Sequence, residues 1–366
     1  MFEIFRVSSK LLKSFTGHTD KVNSIDYSTF DYGQFICSGS HDKTVRVWNI
    51  ETNKQIQSFN GHSSYVYSVK FSPYHYYNHC CNIICSSSYD GIIRFWDIKS
   101  NRQLQIFSKH MGWVGSIEFS SFSGGRYLCS GSSDTTIRLW DVETSKSLYI
   151  FNGHAMTVRC VDISPLQSNK SNNIGVIGGN GYTICSGSYD ETIRIWDIET
   201  TKQLIAFKGH ESFVNSVKYG SNELVNIDGI NTILSGSSDK SVRLWDIRSG
   251  QQIQLFNGHK STVCDVEYSP FINNNNEIGG SSNVICSGSA DKTIYFWDIR
   301  SNKKELHLLK DDKEDNGIYC LKFLQLKKIG FVVVILICVM VQVRVLFVFG
   351  DNIIFSTIKN IFEQIK

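Results

Sequence analysis

The sequence predicts an all-β protein built from repeated four-stranded antiparallel sheets. The segment "CSGSSDTTIRLWD" at 129–141 recurs in five further near-copies. Short runs within each copy alternate apolar and polar residues with period two, and glycine, asparagine or aspartate separates these runs. One such sheet cannot bury both of its faces, whereas a ring of them can, so the repeats predict sheets arranged around an axis.

Each repeat contains four predicted strands, a to d, which in the first copy are "VNSIDY", "FICSGS", "TVRVWNI" and "KQIQSFN". All length variation lies between strands a and b, at 72–82, 164–182, 220–231 and 269–283. In an antiparallel sheet the a–b and c–d turns leave one edge, and the b–c and d–a turns leave the other. The insertions therefore lie on one face. The opposite face, which we call the constant face, keeps short turns. We expect the insertions to be flexible connections rather than binding sites.

Four residue types recur at fixed offsets in the six copies. The aspartate follows the first serine by four residues, the tryptophan follows that serine by ten, and each later histidine follows the preceding tryptophan by fourteen. The histidines are His18, His62, His110, His154, His210 and His259. The serines are Ser38, Ser86, Ser130, Ser186, Ser235 and Ser287. The aspartates are Asp42, Asp90, Asp134, Asp190, Asp239 and Asp291. The tryptophans are Trp48, Trp96, Trp140, Trp196, Trp245 and Trp297.

A serine, a histidine and an aspartate are also the residue types of a serine-hydrolase triad. Six identical triads would require six active sites in one chain, and the sequence contains no nucleophile elbow. A buried indole and imidazole, by contrast, need hydrogen-bond partners, and stranding either one costs about 1–3 kcal/mol. The sequence therefore predicts structural hydrogen bonds, no catalytic residues and no enzyme activity.

Composition limits the remaining function classes. A net charge of +3 and a pI near 8.2 are too weak a bias to predict nucleic-acid binding. Five of the 11 cysteines directly precede the repeated serines and no CxxC occurs, so we expect core positions with no disulfide ladder, metal site or cofactor. The N-terminus "MFEIFRVSSKLLKSF" lacks the features of a signal peptide. A cytoplasmic or nuclear location is expected.

The glycine–histidine pair that opens most units and the tryptophan–aspartate pair that closes strand c together resemble the WD-repeat (Trp-Asp repeat) β-propeller family, over residues 11–300. The chain is similar to G-protein-β-like scaffold propellers and, at "GHSSYVYSV" (61–69), to propeller adaptors that read histone tails. The resemblance implies a seven-bladed propeller with six regular repeats and an irregular seventh blade. It also implies that Trp, Ser, His and Asp form a hydrogen-bonded chain in each blade. Within the pattern, Lys109 replaces the glycine of the third unit.

The resemblance further implies three domain boundaries. Residues 1–10 would be an N-terminal extension, and residues 11–330 the propeller, in which a strand at about 10–15 closes the last blade. Closure would remove exposed sheet edges. Residues 331–366 would be an anomalous segment.

The same resemblance predicts a non-catalytic scaffold that binds a peptide or partner protein on the constant face. In such propellers the third and fifth residues after each histidine lie near the mouth of the central channel, and "GIYCLKF" (317–323) aligns as a seventh strand a. The predicted partner-binding residues are Lys21, Asn23, Tyr65, Tyr67, Trp113, Arg159, Phe213, Asn215 and Tyr319. Aromatic residues and arginine are typical of binding hot spots and of cation sites. Ordinary packing of strand a is the competing interpretation. A chromatin-type reader that uses Tyr65, Tyr67 and Phe213 is a narrower version of the scaffold hypothesis.

The C-terminal segment "FVVVILICVMVQVRVLFVFG" (331–350) departs from the repeat and permits three interpretations. A transmembrane helix would make the protein a membrane-tethered subunit, but the apolar run is short and contains Arg344. A strand pair would complete the seventh blade. A change of reading frame is the third interpretation, because codons permitted for 335–350 also encode "LCYGSGKGPIRIW" two bases further on. That string aligns with "LCSGSSDTTIRLW" (128–140).

Overall fold

The computed structural model describes residues 10–28, 35–164, 182–220, 232–269, 284–299, 305–310, 317–328, 331–339 and 343–347. In these residues the fold is all-β, and each of the six repeats forms a four-stranded antiparallel sheet with its strands in chain order. We call these sheets blades 1 to 6. The predicted all-β propeller with four-stranded antiparallel blades is confirmed.

The strands follow the repeats. Strand β1 (Lys10–Phe15) precedes the blades. Blade 1 contains β2 (Val22–Tyr27), β3 (Phe35–Ser40), β4 (Thr44–Asn49) and β5 (Lys54–Asn60). Blade 2 contains β6 (Val66–Phe71), the helix α1 (Pro73–His79), β7 (Ile83–Ser88), β8 (Ile93–Asp97) and β9 (Arg102–Phe107). Blade 3 contains β10 (Val114–Phe119), β11 (Tyr127–Ser132), β12 (Ile137–Asp141) and β13 (Lys146–Phe151).

The second half of the chain repeats this order. Blade 4 contains β14 (Val158–Ile163), β15 (Thr183–Ser188), β16 (Ile193–Asp197) and β17 (Gln203–Phe207). Blade 5 contains β18 (Val214–Tyr219), β19 (Thr232–Ser237), β20 (Ser241–Asp246) and β21 (Gln251–Asn257). Blade 6 contains β22 (Val263–Tyr268), β23 (Val284–Ser289), β24 (Thr293–Asp298) and β25 (Glu305–Lys310).

The core lies between the blades. Strand a of each blade is innermost, and neighbouring first strands pack side by side around a central channel. The second strand is the most buried, and all six residues of β7, β15, β19 and β23 are inaccessible to solvent. The repeated cysteines Cys37, Cys85, Cys129, Cys185 and Cys286 lie in these second strands and are buried and unpaired, as predicted.

A glycine of strand b sets the distance between adjacent blades. A Cβ atom added at Gly39 would lie 2.6 Å from Val66 Cγ1 of the next blade, and one added at Gly187 would lie 2.6 Å from Val214 Cγ1. Real side chains do not approach so closely. The glycine therefore allows the valine that follows each histidine by four residues to pack directly against the neighbouring sheet.

The a–b connection of blade 2 is partly helical. Pro73 begins the short helix α1. Cys80 ends it in the left-handed conformation, and the backbone N–H of Cys80 donates to carbonyl groups of the helix. His75 is buried, with its Nδ1 2.8 Å from Ser72 Oγ. The connection 72–82 therefore contains a short helix that a proline start and buried contacts stabilise, and the expectation that it is a flexible connection rather than a binding site stays a prediction. Nearly all of the other three insertions lies outside the described residues.

Another four-stranded antiparallel sheet joins the two ends of the described chain. Its strands are β26 (Cys320–Lys328), β27 (Phe331–Val339) and β28 (Val343–Phe347), with β1 in the outer position beside β28. The apolar segment from 331 is therefore described as strands rather than as a helix. Across the described ranges, we find no helix with both the length and the apolar character needed to span a membrane.

Candidate functional site

A chain of hydrogen bonds links four side chains in every blade. In blade 3 the indole N–H of Trp140 donates to Ser130 Oγ at 2.8 Å. Ser130 Oγ lies 2.8 Å from His110 Nε2, and His110 Nδ1 lies 2.8 Å from Asp134 Oδ2. Because a carboxylate can only accept, the imidazole carries its proton on Nδ1, and its Nε2 accepts from the serine hydroxyl.

The other five blades repeat this geometry. The Trp–Ser distances are 2.7 to 2.9 Å, the Ser–His distances are 2.7 to 2.8 Å, and the His–Asp distances are 2.7 to 3.1 Å. The 24 residues that recur at fixed offsets in the sequence therefore lie together in the structure as six tetrads, one in each blade. The equal offsets in sequence correspond to equal blades in space.

The order of serine, histidine and aspartate is also that of a hydrolase triad, but the environment differs. All six serines are completely buried, and each hydroxyl oxygen already accepts the indole N–H. A nucleophile must reach its substrate, whereas these oxygens have no open side. Among the described residues no group of three or more His, Cys, Asp or Glu side chains could hold a metal ion.

Burial sets the charge state of the tetrads. It lowers the pKa of His110 below its ordinary value, even though the hydrogen bond with Asp134 opposes that change, and the other five histidines shift in the same direction. Burial would raise the pKa of Asp134, but hydrogen bonds from His110, Thr136 and the Met111 N–H hold it below its usual range. A neutral imidazole therefore faces an ionised carboxylate at neutral pH.

The predicted partner-binding residues occupy two levels of the constant face. The fifth residue after each histidine lines the central channel, and this level comprises Asn23, Tyr67, Gly115, Arg159, Asn215 and Cys264. Tyr319, which precedes β26, lines the channel with them. The third residue directly precedes strand a; Tyr65 and Phe213 are each 40% exposed there, and Lys21 and Trp113 are partly exposed.

Aromatic rings on this face form a continuous series. Tyr67 lies 5.1 Å from Trp113 between ring centroids, Trp113 lies 6.2 Å from Tyr189, and Tyr189 stacks on Phe213 at 4.2 Å. At the other end, His41 stacks on Tyr65 at 4.2 Å. We define the aromatic arc as His41, Tyr65, Tyr67, Tyr89, Trp113, Tyr189 and Phe213.

Three members of the aromatic arc were missed by the sequence reasoning. His41, Tyr89 and Tyr189 lie in the b–c turns, each directly before the tetrad aspartate. A signal was available, because this position varies between repeats while both of its neighbours stay constant. Tyr89 is 50% exposed and lies 6.1 Å from Tyr65 and 6.3 Å from Trp113 between ring centroids. The turns therefore contribute to the predicted surface as much as strand a does.

Two cations lie against rings at the channel mouth. The Arg159 guanidinium is 5.4 Å from the centroid of the Tyr67 ring, and its Nη1 donates to the Gly115 carbonyl at 2.9 Å. The Lys21 ammonium is 3.4 Å from the centroid of the Tyr319 ring. Burial lowers the pKa of Lys21, and the positive charge of Arg159 adds to that effect. The mouth of the channel is thus electropositive and partly filled by the chain itself.

The side chains of two predicted binding residues donate hydrogen bonds to neighbouring blades. Asn23 Nδ2 donates to the Val66 carbonyl of blade 2 at 2.8 Å. Asn215 Nδ2 donates to the Val263 carbonyl of blade 6 at 3.0 Å. Both amides therefore join adjacent first strands, and their role in binding stays a prediction.

A ring of acidic and basic side chains surrounds the opposite end of the channel and was not predicted. It is formed by the eighth residue after each histidine and by Lys322. Its members are Asp26, Lys70, Glu118, Asp162, Lys218, Glu267 and Lys322. Lys218 Nζ lies 4.0 Å from Glu118 and 3.9 Å from Glu267, and Lys322 Nζ lies 3.1 Å from Glu267. Burial raises the pKa of Asp162 to about 6, because Lys218 only partly offsets it and Glu118 adds to it.

The comparison with protein families agrees with this geometry. The family described as WD domain, G-beta repeat matches residues 9–49, 53–97, 101–141, 145–197, 201–246 and 250–298. These matches cover well over half of the chain, which belongs to the WD-repeat propeller family. Propellers of this family are in general non-catalytic scaffolds that bind protein partners.

Proposed function

We propose that this protein binds a peptide or a partner protein on the constant face, through the aromatic arc. The observation that carries this proposal is the contiguous series of partly exposed rings from His41 to Phe213. Large aromatic side chains lose little conformational entropy on binding and dominate interface energies. Ordinary packing alone would bury these rings, whereas Tyr65, Tyr89 and Phe213 keep 40 to 50% of their surface in solvent.

A chromatin-type reader is less well supported. Such a site needs a free aromatic face for an incoming arginine or modified lysine. Arg159 already covers the ring of Tyr67, and Lys21 lies over Tyr319, so an incoming cation would meet two positive charges. This arrangement favours a partner that contacts the outer rings of the arc.

Affinity purification with two matched variants tests the proposal. Tyr89→Ala removes an exposed ring from the aromatic arc, and Tyr77→Ala removes a ring that is 65% exposed on α1, in an a–b connection on the opposite face. We expect Tyr89→Ala to lower partner recovery at least fivefold and Tyr77→Ala to leave it unchanged. Undiminished recovery with Tyr89→Ala, or an equal loss with Tyr77→Ala, would contradict the assignment of the binding face.

We also propose that β1, β28, β27 and β26 act as a seventh blade. Contacts of β26 and of the residues before it with blades 1 and 6 support this: Leu321 N–H donates to Asp265 Oδ2 at 2.8 Å, and Ile318 N–H donates to the Ser289 carbonyl at 2.8 Å. A Cβ added at Gly288 would lie 2.7 Å from Ile318 Cγ2, so Ile318 takes the part that valine plays in the other blades. Seven first strands would then enclose the channel.

The apolar composition after about 330 is best explained, in our proposal, by a change of reading frame within the strands of this blade. Restoring the frame would replace an apolar string by one that contains the repeated Gly-Ser and Ile-Arg-x-Trp residues. Transcript reads across this junction test the idea. An extra or missing base is expected, and an uninterrupted frame in many independent reads would refute it. A cytoplasmic or nuclear location is also proposed, since the described cysteines are unpaired.

A further inference from the structure

Blade 3 differs from the other blades at its outer edge, where residues that recur in the other blades are replaced. In blades 1 and 4 an arginine of the third strand contacts a glutamine of the outer strand: Arg46 Nη1 lies 2.8 Å from Gln55 Oε1, and Arg194 Nη1 lies 2.7 Å from Gln203 Oε1. Blades 2 and 5 contain the same contact. This contact therefore joins the third and outer strands in four of the six blades.

Serine replaces that glutamine in blade 3. Ser147 is too short to meet Arg138 well, and the Oγ–Nη1 distance is 3.5 Å. The Nε atom of Arg138 is buried and has no hydrogen-bond partner in the part of the chain that the structure describes, which is also true of Arg94 in blade 2. A groove lies beside Trp140, and Arg138 is one of the residues that line it.

Lysine replaces the repeated glycine at the same place. In blade 1 a Cβ added at Gly17 would lie 2.9 Å from Trp48 Cη2 and 3.1 Å from Gln55 Oε1, so the usual blade has no room for a side chain there. The shorter Ser147 removes one of these contacts in blade 3, where Lys109 lines the groove together with Lys146. None of the residues that line this groove is acidic.

The outer strand of blade 3 is also unusually apolar. Leu148, Tyr149 and Ile150 are consecutive and are exposed by 40, 41 and 42%. In blades 1 and 2 the position of Tyr149 is a glutamine, and Gln105 donates its side-chain amide to the Val142 carbonyl of the next blade at 3.0 Å. β13 is an edge strand of its sheet. Exposed apolar edge strands are sites where another extended chain can pair.

We propose that the groove beside Trp140 and the free edge of β13 together bind an extended peptide that presents apolar and acidic residues on the same face, because Ile150 pairs with Arg138 and Ser147 pairs with Trp140 on one face of the blade. The peptide adds to β13 as a fifth strand, with main-chain hydrogen bonds to the open edge. Its apolar side chains pack on Leu148 and Ile150, and a carboxylate lies among Lys109, Arg138 and Lys146. This site lies on the circumference of the propeller and is separate from the constant face.

Fluorescence anisotropy on the full chain tests this proposal with two labelled, acetylated seven-residue probes in which every second residue is serine. The residues between the serines alternate valine with glutamate in one probe and valine with lysine in the other. We expect saturable binding of the glutamate probe and at least tenfold weaker binding of the lysine probe. Ser147→Gln restores the arginine–glutamine contact of the other blades and fills the groove. It is expected to weaken the glutamate probe at least tenfold, and a melting curve checks that the variant still folds with Lys109 beside the new glutamine.

Ile150→Asp gives an independent test, because it changes an exposed side chain and places a negative charge beside the probe. It is also expected to weaken the glutamate probe at least tenfold. Tyr89→Ala should leave the affinity unchanged, which separates this site from the aromatic arc. Equal affinity of Ser147→Gln and the unmodified chain, equal affinity of the two probes, or no saturable binding would overturn the proposal. A dimer in sedimentation that Ser147→Gln dissociates would also overturn it, by showing a second copy as the occupant.

Discussion

Removing one tetrad hydroxyl should lower the free energy of unfolding of the propeller, because the tetrads are predicted to be structural. Ser130→Ala takes away the acceptor of the Trp140 indole N–H and the donor to His110 Nε2, both at 2.8 Å and both buried. A buried polar group without a partner costs about 1–3 kcal/mol, so the two groups together predict a loss of about 2–6 kcal/mol. Domains are typically stable by only about 5–15 kcal/mol, so this loss is easily measured. Urea unfolding followed by tryptophan fluorescence gives the free energy of unfolding.

Ser133→Ala is the matched control for this experiment. Ser133 lies in the same b–c turn, is partly exposed and stands outside the tetrad. We expect its loss of stability to stay below about 0.5 kcal/mol, as for most surface substitutions. If Ser130→Ala unfolds at the same urea concentration as the unmodified chain, the tetrad does not stabilise the blade and the reasoning fails.

Two further predictions concern charge. The tetrad histidines have folded pKa values below the ordinary 6.5, so unfolding takes up protons; the stability they provide is complete above about pH 6.5 and is lost as the pH falls below it. Burial also raises the pKa of Asp26, and it raises that of Asp162 to about 6, so these two groups oppose the change. The six histidines outweigh them, so urea midpoints should fall between pH 7.5 and 5.5, and a flat profile would contradict the neutral tetrads. Lys322→Met removes the charged hydrogen bond to Glu267, whose nearest remaining lysine partner is Lys218 at 3.9 Å, and should cost about 1.5–3 kcal/mol. An unchanged melting temperature would argue against β26 as a closing strand.

The blades could be predicted from the sequence because their determinants are local and repeated. The fixed spacing of residues such as His110, Ser130 and Trp140 reflects strand lengths and tight turns that leave no freedom. Period-two alternation then placed each strand correctly within a unit. Length variation was confined to the a–b connections, where an added residue disturbs no tetrad.

The surface was predicted only in part, because it depends on residues from different blades. Tyr89 and Tyr189 join the aromatic arc through rings that strand a of the neighbouring blades contributes, and no spacing within one repeat indicates such contacts. The groove of blade 3 is similar, since Lys109 and Ser147 lie at opposite ends of one repeat unit and are informative only together. Asn23 was predicted as a binding residue, yet its amide contacts the next blade. Residue type alone does not distinguish a residue that binds a partner from one that joins neighbouring blades.

Photo-crosslinking from single positions would locate the bound partner most directly. A benzoylphenylalanine at position 213 would replace Phe213 on the constant face, and one at position 77 would replace Tyr77 on α1. Partner adducts are predicted from position 213 and not from position 77. Adducts from position 77 alone would show that the partner lies on the face with the inserted connections, and the central claim would then be wrong.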